Sequence, residues 1–214
     1  APEWDRVIYR PMSNAAGRVA ALLAGDVDMI EDPPTDDLAN LKKNKKLYIE
    51  ETPSVRVMYV AMDQFAEPTP GIPGLQKNPL KDKRVREALS LAINRDAMFG
   101  ASKEHAEAPK ADVEKAKALL KEAGYPDGFE ITLGAPSGRY VNDSKVAQAL
   151  ASMWSRIGVK TNVEALAPSV FFKKRDGYEF SAYLAGWSVT SGEMLNPLAS
   201  LLMTRNPDAG EGTT

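Results

Sequence analysis

Runs typical of β-strands alternate with segments of helical periodicity along this chain, and this alternation limits the possible folds more than any other feature. The strand-like runs are rich in branched and aromatic residues and cover residues 4–10, 27–30, 47–49, 55–62, 129–133, 159–163 and 180–185. The helical segments space apolar residues three or four apart and cover residues 14–24, 36–43, 82–93, 112–123, 141–157, 169–175 and 196–203. Strands interleaved with helices predict an α/β fold, with a mixed sheet flanked by helices.

Capping residues support several of these helices. Asp82 and Asp112 each precede a strongly periodic segment, as N-capping residues do. Gly25, Gly124 and Gly158 follow the last periodic residue of three helices, where a C-terminal glycine is common. Residues 66–81 hold four prolines and two glycines, which predicts a loop.

Composition excludes several classes of protein. The 214 residues carry 27 basic and 29 acidic side chains, a net charge of -2, so no basic excess indicates nucleic-acid binding. There is no cysteine and only one histidine, His105, which argues against thiol chemistry and histidine-rich metal sites. No stretch approaches the roughly 20 apolar residues of a membrane span, and the first residues do not resemble a signal peptide.

Catalytic motifs are also missing from the sequence. The chain has no Gly-x-Ser-x-Gly elbow, and "GIPGLQKNP" lacks the Gly-Lys-Ser/Thr ending of a phosphate-binding loop. We therefore expect a protein without enzymatic activity, cofactor or metal.

The segment "LAGWSVTSGE", Leu184 to Glu193, places a large indole at the end of a predicted strand. Small and polar residues follow, and they cannot bury much apolar surface. Trp187 therefore either fills a core or lines a binding site, and the residues alone leave both interpretations open.

Five blocks of sequence, in order, carry a family resemblance. They are "RVAALLAGDVDMIEDPP", "TPSVRVMYVAMD", "NPLKDKRVREALSLAINRDAM", "KAKALLKEAGYPDGFEITL" and the Gly-Trp strand end. In this pattern the chain resembles the family 5 extracellular solute-binding proteins of bacterial ABC importers, the dipeptide, oligopeptide and nickel group. The resemblance implies a periplasmic binding protein type II-like fold.

The resemblance also implies that residues 1–214 are a single incomplete lobe of a two-lobe protein. The matching blocks are those of the second, C-terminal lobe, so we expect the first lobe to be missing. The stretch between Met98 and Asp112 is shorter than in typical members. We expect such a lobe alone to bind peptides weakly or not at all.

The binding residues follow from the same resemblance. In the family, the Gly-Trp strand end delivers its tryptophan to the cleft between lobes, here Trp187, while Gly186 and Ser188 expose backbone groups to an extended peptide. Many members place an aspartate three residues after the tryptophan, where it holds a ligand amino group. This chain has Thr190 there, and its nearest carboxylate is Glu193, which otherwise caps a helix or faces solvent.

Arginines provide further candidates for ligand contacts. Arg139 and Tyr140 precede a helix, and helix N-termini attract anions, so a ligand carboxylate is expected there; a capping turn with a surface arginine is the alternative. Arg175 matches a region where some relatives have a ligand-binding arginine, although a helix-end arginine is the simpler interpretation. Arg56 must be paired or exposed, and a ligand role is the less favoured of its interpretations. We expect Arg84 to be solvated and Arg86 to bind a neighbouring carboxylate.

The resemblance predicts the partners as well: a peptide or other small solute, the membrane permease of an ABC importer, and the first lobe of the same protein, but no nucleic acid. The expected location is the periplasm, or the cell surface for a lipoprotein. A solute other than a peptide (a sugar, an opine or a nickel chelate) and a chaperone-like interaction domain remain the alternatives.

Overall fold

The structure is a computed structural model that describes residues 4–52, 56–99, 109–188, 195–202 and 206. The chain divides into two compact units, Ala1–Thr52 and Pro53–Thr214.

The first unit contains two helices, α1 (Ala15–Ala24) and α2 (Leu38–Leu41). The side chain of Asn14 accepts a hydrogen bond from the Gly17 amide at 2.9 Å, and Gly25 ends α1 in the left-handed conformation, so both predicted boundaries are confirmed. Val19 is the buried residue of α1, whereas Leu23 is 56% exposed.

The strands predicted at residues 4–10, 27–30 and 47–49 do not form in the described part of the first unit. A strand exists only when its backbone pairs with a neighbour, and a β-rich composition does not supply that neighbour. A side chain binds backbone acceptors close to two of these segments. The guanidinium of Arg18 donates to the carbonyl oxygens of Met12 at 2.7 Å, Asp32 at 2.8 Å and Glu31 at 3.1 Å.

A four-stranded sheet forms the centre of the second unit. Its strands are β1 (Arg56–Met62), β2 (Phe129–Pro136), β3 (Val159–Leu166) and β4 (Ala182–Ser188), in the spatial order β1-β4-β2-β3. β2 pairs in parallel with β3 and β4, whereas β1 pairs antiparallel to β4. The predicted mixed sheet of an α/β fold is confirmed.

Six α-helices belong to the described part of the second unit, and all but α4 match predicted ones. They are α3 (Lys83–Leu91), α4 (Arg95–Phe99), α5 (Val113–Glu122), α6 (Asp143–Ser155), α7 (Pro168–Asp176) and α8 (Leu195–Leu202). Asp82 and Asp112 cap α3 and α5 as predicted, accepting from the amides of Arg84 at 2.8 Å and Lys115 at 2.9 Å. The short α4 was not predicted, because five residues show little periodicity.

The core lies between α3, α5 and α6 and one face of the sheet. Side chains that alternate along β2 and β4, among them Ile131, Leu133 and Leu184, pack there and are at most 2% exposed. Trp154 of α6 is fully buried, and its indole N–H donates to the carbonyl oxygen of Leu89 at 3.0 Å. This bond ties α6 to α3.

On the other face of the sheet, α7 packs through aromatic rings. Phe171 stacks on Phe180 with ring centroids 5.7 Å apart and meets Tyr183 edge-on at 6.1 Å. Gly134 is required beneath them, because a Cβ there would lie 2.6 Å from the Phe180 ring.

Arg84 of α3 is exposed, as we expected, whereas Arg86 has other partners than we predicted. Arg84 forms an ion pair with Asp82 at 2.6 Å and also donates to the carbonyl oxygen of Glu122 at 2.8 Å, which ties α3 to the end of α5. Arg86 donates to the carbonyl oxygens of Leu80 and Lys81 at 2.8 Å and 3.0 Å, where we expected a carboxylate. The sequence shows where charged side chains lie along a helix, but it does not show which backbone carbonyl oxygens they reach in the folded chain.

Candidate functional site

Five separate stretches of the second unit meet at one edge of the sheet. β2 and β4 are parallel, so their carboxyl ends lie at the same edge, and antiparallel pairing places Arg56 at the start of β1 opposite Ser188 at the end of β4. In α/β sheets ligands bind at this edge. A groove of about 260 Å³ opens there and is lined by Arg56, Tyr59, Arg139, Tyr140, Phe172, Arg175, Tyr183, Ala185, Gly186, Trp187, Ser188 and Leu201.

Trp187 lies in this groove and not in the core. It is partly exposed and pairs across the strands with Val57, which is 67% exposed. The fully buried indole of the second unit is Trp154. Trp187 is therefore a groove residue and not a core residue, and its contact with a ligand stays a prediction.

Tyr140 lies between two arginines and the end of β4. The guanidinium carbons of Arg56 and Arg139 are 5.2 Å and 5.5 Å from the centre of its ring, within the range of cation–π attraction. Its hydroxyl donates to the carbonyl oxygen of Gly186 at 3.4 Å. A Cβ on Gly186 would lie 3.2 Å from the Tyr140 ring and 2.7 Å from the sulfur of Met58, so glycine permits this close approach.

Arg175 occupies the last turn of α7, so it is a helix-end arginine as well as a lining residue. Its guanidinium carbon is 4.9 Å from the centre of the Phe172 ring, and it forms an ion pair with Asp176 at 2.7 Å. A cation in the last helical turn also interacts favourably with the helix dipole.

The start of α6 already holds an anion of the chain itself. The carboxylate of Asp143 accepts hydrogen bonds from the amides of Gly138 at 3.2 Å, Arg139 at 2.8 Å, Tyr140 at 3.0 Å and Ser144 at 2.8 Å. We expected a ligand carboxylate at this helix start. With these amides occupied, a carboxylate near this turn would meet the Arg139 side chain instead.

Six of the eight predicted site residues therefore line one groove: Gly186, Trp187, Ser188, Arg139, Tyr140 and Arg175. The other two, Thr190 and Glu193, lie outside the described residues. Sequence reasoning did not find Tyr59, Phe172 and Tyr183. Tyr59 and Tyr183 share a sheet face with Trp187, so a correct β1–β4 register is the signal that would have found them.

A second depression, of about 410 Å³, lies between the end of α6 and the start of β3. It is larger but more open, and no aromatic side chain stands among its lining residues, which are Gln148, Ala151, Ser152, Ser155, Gly158, Lys160 and Thr161. Binding sites usually combine apolar walls with a few convergent polar groups. We therefore place the candidate site in the groove beside Trp187.

Burial raises the pKa of two tyrosines of the groove. Desolvation raises the pKa of Tyr183 to about 12, and it also raises the pKa of Tyr59. Both hydroxyl groups therefore remain hydrogen-bond donors at neutral pH. In the described part of the chain, no three histidine, cysteine or acidic side chains form a group that could hold a metal ion.

The raised pKa of Tyr183 predicts a loss of stability in alkali. The unfolded chain releases this proton near the ordinary value of about 10, whereas the folded chain keeps it until about pH 12, so the free energy of unfolding falls between these values. We expect a loss of about 1 kcal/mol between about pH 9 and about pH 11 from this group. Urea denaturation at both pH values measures it. Tyr183→Phe should reduce the loss, whereas Tyr178→Phe, at a 50% exposed position, should not; an identical loss in both variants would contradict the prediction.

Known proteins are similar to this chain in both sequence and fold. The sequence profile of the bacterial extracellular solute-binding proteins, family 5 (middle), matches residues 1–101 and 98–208. The dipeptide-binding protein of Escherichia coli K12 is 28% identical over 98% of this chain, and heme-binding protein A of Haemophilus influenzae is 30% identical over 94%. The periplasmic binding protein DppA from Helicobacter pylori, solved with the peptide STSA, superimposes with a TM-score of 0.73 over 88% of this chain at 22% identity.

The chain thus belongs to the family 5 bacterial extracellular solute-binding proteins. Its fold is that of the periplasmic binding proteins it superimposes on. The chain spans only 41% and 39% of the lengths of the two curated relatives, and 38% of the Helicobacter pylori protein. No helix in the described ranges has both the length and the apolar character needed to cross a membrane.

Proposed function

We propose that this chain is a ligand-binding lobe of a longer solute-binding protein, and that its groove binds the carboxylate end of a peptide or peptide-like solute. One observation carries the proposal: residues from β1, β4, α7 and the turn before α6 converge on one groove whose charged lining residues are all arginines. Arginine offers planar, paired donors that match a carboxylate.

Arg139 is the residue we assign to the ligand carboxylate. Its side chain is exposed and lies next to Tyr140. The turn that carries it is held by Asp143, whose carboxylate accepts a hydrogen bond from the Arg139 amide. Because the amides of that turn are occupied, charge recognition at this corner falls to the guanidinium. Arg175 and Arg56 add positive potential along the same groove.

The end of β4 supports backbone pairing with an extended ligand. β2 pairs with β4 at Ala182 and Tyr183, whereas β4 continues to Ser188. The residues of β4 after Tyr183 are therefore not paired with β2, so a peptide strand can add beside Gly186 and Ser188. Trp187 and Phe172 then provide broad apolar surfaces for ligand side chains of different shape.

The size of the groove is consistent with half of a cleft. Its volume of about 260 Å³ is below the roughly 300–1,000 Å³ of ligand pockets that bury most of a small molecule. In our proposal the rest of the longer protein supplies the opposite wall and closes by a hinge motion. The closed protein then delivers its solute, outside the cytoplasm, to the permease of an ABC importer and performs no chemistry itself.

Calorimetric titration with paired peptides tests this proposal. One peptide of each pair has a free C-terminal carboxylate, and the other has a C-terminal amide; both are titrated into the longer protein and into the 214-residue chain. We expect the longer protein to prefer the free acid, and Arg139→Gln to weaken free-acid binding about tenfold while it hardly affects the amide. We expect this chain alone to bind both weakly.

Arg156→Gln is the matched control, because Arg156 is an exposed arginine at the opposite end of α6. It should leave both affinities unchanged. If Arg139→Gln weakens binding of the free-acid peptide and the amide peptide equally, Arg139 does not recognise the ligand carboxylate. If the longer protein binds a non-peptide solute and no peptide, the ligand is not peptide-like as we propose. If the longer protein and the 214-residue chain bind peptides with equal affinity, the groove is not half of a larger cleft.

A further inference from the structure

Asp143 is a buried carboxylate beside the groove but outside its lining. Its side chain belongs to a residue that is only 4% exposed, and each carboxylate oxygen accepts two hydrogen bonds from backbone amides. Oδ1 accepts from Gly138 and Ser144, and Oδ2 accepts from Arg139 and Tyr140. Four amide donors directed at one carboxylate form the kind of nest that binds anions in other proteins. Here the anion belongs to the chain.

The usual capping position of α6 does not perform this role. Asn142, the N-cap residue, adopts the left-handed conformation, and its side chain makes no capping hydrogen bond. The first residue of the helix, Asp143, instead directs its carboxylate back into the preceding turn. The other end of that turn is fixed separately, because the Ser137 amide donates to the carbonyl oxygen of Leu166 at 2.7 Å.

Two groove residues depend on this turn for their positions. Arg139 and Tyr140 each donate their amide to the same oxygen of Asp143, and the side chain of Tyr140 reaches the Gly186 carbonyl oxygen and the two neighbouring arginines. A turn organised before the ligand arrives avoids the entropic cost of ordering it on binding.

We infer that Asp143 is a positioning residue for ligand binding: it replaces a ligand anion at the start of α6 and thereby fixes Arg139 and Tyr140 in the groove. It acts through these two residues and does not contact the ligand. The inference rests on the proposed function for its effect on affinity, but its effect on the turn is measurable without any ligand.

Asp143→Ala tests this role through chemical rescue. The substitution empties the nest but leaves room for formate, which carries the same carboxylate. In the 214-residue chain, amide exchange measured by NMR should become at least tenfold faster at Gly138, Arg139 and Tyr140, and added formate should slow it again. Chloride at equal ionic strength should not. In the longer protein, affinity for the free-acid peptide should fall about tenfold and recover partly with formate.

Asp112→Ala is the matched control. The Asp112 side chain caps α5 by accepting one hydrogen bond, from the Lys115 amide, and Asp112 lies outside the groove lining. It should change neither the exchange of these three amides nor the affinity. Asp143→Asn keeps the shape but puts an NH₂ group against amide donors, so it should accelerate exchange without a response to formate.

Wild-type exchange and affinity in a folded Asp143→Ala or Asp143→Asn protein would overturn the inference. Unfolding of both variants would also overturn it, since Asp143 would then serve folding and not the position of the turn. If the wild-type longer protein binds no peptide, the proposed function fails, while exchange and its response to formate still decide the role of Asp143.

Discussion

Gly128→Ala is expected to destabilise the second unit by about 4 kcal/mol or more, the largest effect of any single methyl group we consider. Gly128 has a φ of +73°, and a Cβ there would overlap the carbonyl group of Gly158. Both partners of this contact are backbone, so no side-chain rotation can relieve it. The start of β2 would have to separate from the start of β3, where Phe129 pairs with Val159.

Gly124→Ala separates the cost of the positive φ from the cost of the steric overlap. Gly124 also has a positive φ, +92°, but no atom lies within 4 Å of the place where its Cβ would be. We expect this variant to lose only the about 1–2 kcal/mol of a left-handed L-residue. Urea denaturation followed by circular dichroism compares the two variants, and equal losses would show that the contact with Gly158 contributes nothing.

The Gly128–Gly158 contact also matters for the groove. Pairing of β2 with β3 runs from Phe129 to Pro136, and the turn that carries Arg139 and Tyr140 begins directly after β2. An error at the start of this ladder therefore displaces the binding residues at its far end. We expect Gly128→Ala to weaken peptide binding even in molecules that remain folded.

Local signals predicted the helices of the second unit well because several of them agreed. At α3 and α5, an aspartate cap and helical apolar spacing indicated the same boundary, and the structure confirms both. The strands of the first unit had only their β-rich composition. Composition does not specify a partner, and these segments did not become strands.

The groove was predictable only in part for a similar reason. The sequence order places Arg139 and Trp187 at the ends of two strands, and parallel strands bring such ends together. Tyr59 and Phe172 enter the groove through the pairing of β1 with β4 and through the packing of α7, and both are tertiary choices. Asp143 resembled an ordinary residue in a first helical turn. Its four amide partners, three of them in the preceding turn, appear only in the folded backbone.

Trp154→Ala should remove about 3–5 kcal/mol from the free energy of unfolding, because it empties a fully buried site and leaves the Leu89 carbonyl oxygen without its donor. Trp154→Phe keeps a ring but loses the donor, so we expect a smaller loss of about 1–3 kcal/mol. The comparison separates packing from the hydrogen bond. Urea denaturation measures both, with Trp4→Ala, at a 73% exposed position, as a control expected to stay within about 0.5 kcal/mol of the wild type.

The same substitution connects the core to the site. Trp154 lies near the end of α6, and Asp143 begins that helix, so the indole anchors against α3 the element whose first residue organises the groove turn. If α6 behaves as a rigid unit, Trp154→Phe should leave amide exchange at Gly138, Arg139 and Tyr140 unchanged while it lowers global stability. Faster exchange at these three amides in Trp154→Phe would instead show that the turn depends on the far end of α6 as much as on Asp143.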